Sequence, residues 1–327
     1  MSNPEICFYV PREKLREDWP KTLSDNWVAF GGGANVWTYF TAVALNELGY
    51  PVRISSDIPE SGILISHAQY LPQRRLVNEQ TLLICIRADY GRNHPADLHV
   101  VQNAFQQKLR GREILENLFW PGPNYYLPYW PQPGLIPRNT GRGDTFRTVA
   151  FLGGLQNLAE FCKDEKWAAD LRAEGIEFRI VRERARWHDY SDIDAVLAIR
   201  PATGDSHYRK PPSKLTNAWL AGVPAILGPD SAFQELRSDP LDYLEITNRE
   251  EALAAILRLR DDPSLRQRMV RHGQQRAADY TIQANFERWK HFFENFAIPY
   301  YKEWRAWNAP KQKTYFLLKS MRAAIKR

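Results

Sequence analysis

The chain has 327 residues, of which 44% are hydrophobic, 25% charged and 13% aromatic. That much apolar ring offsets the entropy of ordering and excludes a disordered chain, and the length suits two domains of ordinary size. The formal charge of +6 resides in residues 311–327, which hold Lys311, Lys313, Lys319, Arg322, Lys326 and Arg327 and no acid; the remainder balances 38 basic against 38 acidic residues, so no nucleic-acid partner is expected.

Residues 6–10 read as a buried strand and 27–30 as a second extended piece. Gly31, Gly32 and Gly33 then open a helix over about 35–48, on which Val36, Tyr39, Phe40, Val43 and Leu48 recur at helical spacing and which Gly49 stops. Short runs at 52–55, 63–66, 82–86 and 98–101 are apolar on consecutive positions, as in a parallel sheet covered on both faces. Residues 121–142 are dense in proline and glycine, and predict an irregular connection between domains. Alternation resumes with strands at 148–152, 177–181, 195–199 and 225–227 and a short one at 246–247. The expected helices run from the Gly153-Gly154 turn to 171, over 214–221 and 249–259, and through most of 264–307. The fold class is therefore α/β, with two Rossmann-like doubly wound domains facing a cleft. The expected boundaries are 1–142, 143–290 and a helical, basic end at 291–327.

The stretch from Lys210 to Glu235 carries the most chemistry. Pro211 and Pro212 end what precedes them, and Ser213 suits the N-cap of a helix beginning at Lys214. A helix N-terminus flanked by Lys210 and Lys214 is a place for a phosphate. Asn217 lies one turn further in, and Glu235 follows the next strand and turn. The run K-L-x-N-A-x-x-A-G-V-P over 214–224, with FLGGLQNL at 151–158 and YSDIDAVLAIRP at 190–201, resembles the donor half of the GT-B glycosyltransferases. The resemblance implies that Gly153 and Gly154 let backbone approach the diphosphate of a sugar nucleotide. It further implies that Ser213, Lys214 and Lys210 hold that diphosphate, that Glu235 binds ribose hydroxyls, and that the C-terminal helices cross back to the first domain. Two departures stand out. Where many retaining members carry two glutamates eight apart, this chain has Arg209 and Asn217, and GLQNLAEF lacks the basic residue expected just after the Gly-Gly turn.

In the first half, Gly31–Gly33 would face sugar and acceptor. His67 and Asp89, just past two strands, are the catalytic candidates: either could take the acceptor proton, or His67 could hydrogen-bond the transferred sugar. His94 and Asp97 are weaker options. Asp192-Ile193-Asp194 matches a metal-binding signature but leads directly into a strand, and lysines with a helix dipole suffice for phosphates. No metal and no cofactor are expected. The expected activity is hexosyl-type transfer from a nucleotide sugar to the hydroxyl of a carbohydrate or lipid-linked acceptor; a sugar-nucleotide epimerase or a non-catalytic sugar-binding module would use the same fold.

No apolar run reaches the ~20 residues that cross a bilayer. Residues 1–5 are polar, so no signal peptide is expected, and Cys7, Cys85 and Cys162 suit reduced cytoplasmic thiols. Residues 311–327 interleave basic and apolar side chains. Such a helix can rest on an anionic membrane face or pack on its own protein.

Overall fold

The computed structural model describes residues 3–16, 18–25, 27–30, 32–72, 75–91, 94–108, 114, 122–201 and 207–325. The chain divides into two compact units. One comprises Met1–Tyr129, Arg209–Pro211 and Ile282–Arg327; the other comprises Trp130–Tyr208 and Pro212–Thr281.

The first unit is built on six parallel strands: β1 (Ile6–Tyr9), β2 (Arg53–Ser55), β3 (Gly62–His67), β4 (Thr81–Ile86), β5 (Leu98–Val101) and β6 (Asn124–Tyr126). Their order is β2-β1-β3-β4-β5-β6, and every residue of β3, β4 and β5 is buried, as their unbroken apolar runs require. The expected helix runs through Gly33–Asn35, a π-helical turn at Val36–Phe40 and α1 (Thr41–Glu47). The Thr41 hydroxyl donates to the carbonyl of Val36, five residues back, which suits the wider turn. Two expectations change here. Residues Trp27–Phe30 form a 3-10 turn, not an extended piece. The proline-dense connection also contains a regular element, because Asn124–Tyr126 is free of proline and, as an edge strand, pairs on one side only.

The second unit has five parallel strands, β7 (Thr148–Leu152), β8 (Glu177–Val181), β9 (Ala195–Ala198), β10 (Ala225–Leu227) and β11 (Leu244–Glu245), in the order β11-β10-β9-β7-β8. Its helices are α2 (Glu165–Ala173), α3 (Ser213–Ala221), α4 (Ser231–Leu236), α5 (Arg249–Asp261) and α6 (Pro263–Ala277). No helix follows the Gly153-Gly154 turn at once. Two 3-10 turns, Leu155–Asn157 and Glu160–Lys163, intervene before α2, and the last strand is Leu244–Glu245 instead of 246–247. Gly273 lets α6 close on α3, since a Cβ there would lie 2.7 Å from the Trp219 ring.

The boundaries move accordingly. Residues 130–142 belong to the second unit, where Trp130 is buried, Arg138 pairs with Asp194 and Ile136 bridges Asp189. The helices α7 (Ile282–Phe292), α8 (Ile298–Arg305) and α9 (Ala309–Ile325), with a π turn at Phe293–Ala297, belong to the first unit, as the return crossing implied. Trp289 of α7 packs against Phe8 and Trp37. On α9, Tyr315 and Lys319 are buried on Asp97: the hydroxyl donates to Asp97 Oδ1 at 2.7 Å and Nζ lies 3.0 Å from the same oxygen. Burial would raise the Asp97 carboxyl, but Arg75 and Lys319 hold it down at about 2. Lys319 is therefore a structural charge and Asp97 a structural acid. Among the described residues no helix is long and apolar enough to cross a membrane.

Both sheets reverse direction once. In chain order each runs second, first, third, fourth, fifth, with a sixth strand following in the first unit, so the reversal falls between β1 and β3 in one unit and between β7 and β9 in the other. Ligands of such sheets bind beyond the carboxyl ends of the strands at that point.

Candidate active site

In the second unit, three strand ends and one helix start converge at the reversal. Lys214, the second residue of α3, reaches back over the end of β7. Its Nζ donates to the Leu152 carbonyl at 2.8 Å and lies 4.7 Å from the centre of the Phe151 ring. Gly153 makes this possible, because a Cβ there would stand 3.0 Å from both Lys214 Nζ and the Phe151 ring. Among the described residues no carboxylate lies within ion-pair distance of Nζ. Desolvation and the nearby Arg200 guanidinium lower the Lys214 pKa to about 8, with Asp230 opposing. Arg200 lies two residues past β9 and Asp230 three past β10; Arg200 Nε donates to Asp230 Oδ2 at 2.6 Å, and Nη1 donates to Asn157 Oδ1.

Ser213 is not the N-cap. Pro212 holds that position, Ser213 is the first helical residue, and no side chain caps α3. Asn217 is buried: its Oδ1 accepts the Gln132 N–H at 3.1 Å, and its side chain also bonds Tyr190. It holds residues 130–142 in place. Glu235 is exposed on α4. Gly154 precedes the Leu155–Asn157 turn in an ordinary extended conformation.

In the first unit the reversal is lined differently. His67, the last residue of β3, is buried, and its Nδ1 accepts the Gln69 N–H at 3.1 Å. The ring proton therefore sits on Nε2, which makes the free edge a donor. Burial lowers its pKa to about 4 against the pull of Asp89, with His94 assisting, so the imidazole is neutral at physiological pH. Tyr70 and Tyr90 meet the ring edge-on at 6.1 and 5.7 Å. Asp89 follows Ala88, a non-glycine residue held at a φ of +46°. Its carboxylate accepts from Gln102 Nε2 at 2.8 Å and from Lys210 Nζ at 2.6 Å. Lys210 is thus a first-unit residue with a carboxylate partner, unlike Lys214. Gln102 further accepts from Trp37 Nε1 and donates to the Arg209 carbonyl, tying 209–211 to this unit.

Gly31 lies outside the described residues. Gly32 occupies the N-cap of the first helical run and Gly33 its first position, where an added Cβ would meet nothing within 4 Å. The Asp-x-Asp run is occupied by arginines: Asp194 is buried under Arg138 and Arg142, and Asp192 pairs with Arg179. Among the described residues no group of three or more His, Cys, Asp or Glu side chains is placed to hold a metal ion. The residue that sequence reasoning missed is Arg200. Its signal was its position at the end of YSDIDAVLAIRP, past the strand that lies beside β7 in the sheet.

No family model and no curated protein matches the chain. Solved structures do. Sucrose-phosphate synthase from Thermosynechococcus elongatus is similar at a TM-score of 0.55 and 12% identity, over 89% of this chain and 98% of that one. Anabaena HepE in complex with UDP-glucose is similar at 0.52 and 10% identity, over 90% and 100%. A variant of S. aureus TarM, in complex with Fondaparinux, alpha-GlcNAc-glycerol and UDP, is similar at 0.53 and 11% identity, over 78% of this chain but 59% of that one. This likeness establishes the GT-B fold, with two Rossmann-like domains.

Proposed function

We propose that this GT-B chain is a glycosyltransferase using a nucleoside-diphosphate sugar. The observation that carries the reading is Lys214, a part-buried cation without a carboxylate partner among the described residues, at the sheet reversal of the second unit beside an uncapped helix start. A desolvated cation there is stabilised by a bound anion, and a diphosphate matches it in charge and size. The HepE and TarM structures are complexes with UDP-glucose and with UDP, which supports the same donor class.

In the reaction, the bond between the anomeric carbon and the diphosphate oxygen breaks, and the electron pair leaves with the nucleoside diphosphate. Lys214 and the α3 N-terminus stabilise that developing charge. The acceptor hydroxyl oxygen bonds the anomeric carbon and passes its proton to the departing diphosphate. Ser213 adds a hydroxyl at the helix start, Gly154 leaves backbone accessible, and we assign Glu235 to ribose hydroxyls. In the first unit His67 donates through Nε2 to a sugar hydroxyl and does not act as the base. The acceptor is a carbohydrate or a lipid-linked sugar. No metal is required, because fixed cations do its work, and the exposed Lys311, Lys313 and Leu317 of α9 are the face offered to an anionic membrane.

The test is thermal stability in the presence of EDTA and a panel of UDP, GDP, ADP, CDP and dTDP. A ligand at a hundred times its Kd adds about 2.7 kcal/mol, which raises Tm by several degrees. A rise with one nucleotide that disappears in Lys214→Met upholds the reading. A folded protein that responds to none overturns it.

A further inference from the structure

The second-unit crevice holds a second cation whose partners suit an empty site. Arg200 stands at the carboxyl end of β9, on the other side of the sheet reversal from Gly153 and Lys214. Its guanidinium carries positive charge at any working pH, and its side chain is 16% exposed, so it needs an anion close by. That anion is Asp230, but the contact is one-sided: Nε meets a single carboxylate oxygen, and the second planar edge of the fork is not used on it. Nη1 rests on the neutral Asn157 amide, in the turn that follows Gly153-Gly154, and Nη2 has no partner among the described residues. Asp230 thus serves two cations at once, pairing with Arg200 and acting on Lys214 from a distance. Three charged side chains of this crevice sum to one unbalanced positive charge.

Resting on the reading that this crevice takes a diphosphate, we propose that Arg200 is its second phosphate-binding residue and that Asp230 is the internal anion the diphosphate displaces. Phosphate oxygens are then held by the Nη1 and Nη2 edge of Arg200 from the β9 side and by Lys214 from the β7 side. This fills the role left open by the absence of a basic residue after the Gly-Gly turn. Asp230 keeps the guanidinium aimed while the site is empty, and its charge competes with the incoming anion. The two members of one ion pair therefore act on anion binding in opposite directions, whereas a purely structural pair would act in the same direction when either member is removed.

Calorimetric titration with inorganic pyrophosphate at low ionic strength and pH 7 tests this without knowledge of the nucleoside. Arg200→Gln is expected to raise Kd about tenfold or more, Arg200→Lys by less, and Asp230→Asn to lower Kd several-fold. Unfolding midpoints accompany each titration. If Arg200→Gln does not fold, the opposed shifts of Arg200→Lys and Asp230→Asn decide the matter. Equal weakening by the Arg200 and Asp230 variants overturns the proposal. So does an unchanged Kd in Arg200→Gln alongside a weakened Lys214→Met. Wild-type protein that binds neither pyrophosphate nor UDP overturns the diphosphate reading itself.

Discussion

The two units share the order of their first five strands and the same reversal, yet the side chains at the two reversals differ. In the first unit Asp89 pairs with Lys210, and the buried imidazole of His67 is neutral with a donor edge. In the second, Lys214 and Arg200 outnumber Asp230, and burial, reinforced by Arg200, holds Lys214 below its usual pKa. Under the proposed function the first crevice takes the sugar and the second the diphosphate. The parallel sheet supplies a location, and the residues one to three positions beyond each strand supply the chemistry.

The sharpest way to break this contrast is to remove the uncompensated charge. Lys214→Met is expected to weaken diphosphate binding by about 2–3 kcal/mol, the scale of a lost charged hydrogen bond, with little change in Tm. Binding that survives intact would make the second crevice no more an anion site than the first. The converse experiment is His67→Gln. It should leave nucleotide affinity unchanged while cutting turnover by roughly 10²-fold, the scale of a lost donor in the transition state, and a matching loss of nucleotide affinity would erase the division of labour. The same variant reports on stability. The folded-state pKa of His67 is lowered, so the unfolded chain binds the extra proton more tightly, and wild-type stability falls as pH drops from about 6.5 through 4. His67→Gln should flatten that fall, visible as a smaller Tm change between pH 7 and 4.

Gly153→Ala sharpens the comparison at the backbone. The new methyl would displace Lys214 Nζ or the Phe151 ring, and about tenfold weaker binding is expected, read by titration. Smaller still is the pH dependence of diphosphate affinity in the wild type. Above about pH 8 the free Lys214 loses its proton, so Kd should rise with pH by at most about tenfold per unit, and this slope should vanish in Lys214→Met.

Much of this was legible before the structure. Unbroken apolar runs belong to covered parallel strands, and the run from Lys214 to Pro224 was readable as a helix, stop and strand because each signal is local. The charge count located the basic residues in the tail. The errors were equally physical. Ser213 has the right chemistry at the right spacing, but lost the cap position to Pro212. The 3-10 turns after Gly154 replaced a helix that periodicity had begun too early.

Local spacing along the chain is enough to give two α/β units, the places of their strands, and a lysine-bearing helix start after Pro211-Pro212. Which charges find partners is set by the folded arrangement. Lys210 and Lys214 are four residues apart, yet one meets Asp89, 121 positions away, and the other meets no carboxylate among the described residues. Arg200 meets Asp230 across 30 residues, and Lys319 is buried on Asp97 across more than two hundred. Secondary structure follows from local spacing, whereas the pairing of charges depends on strand order, which brings distant loop ends to one edge of a sheet and leaves near neighbours on different units.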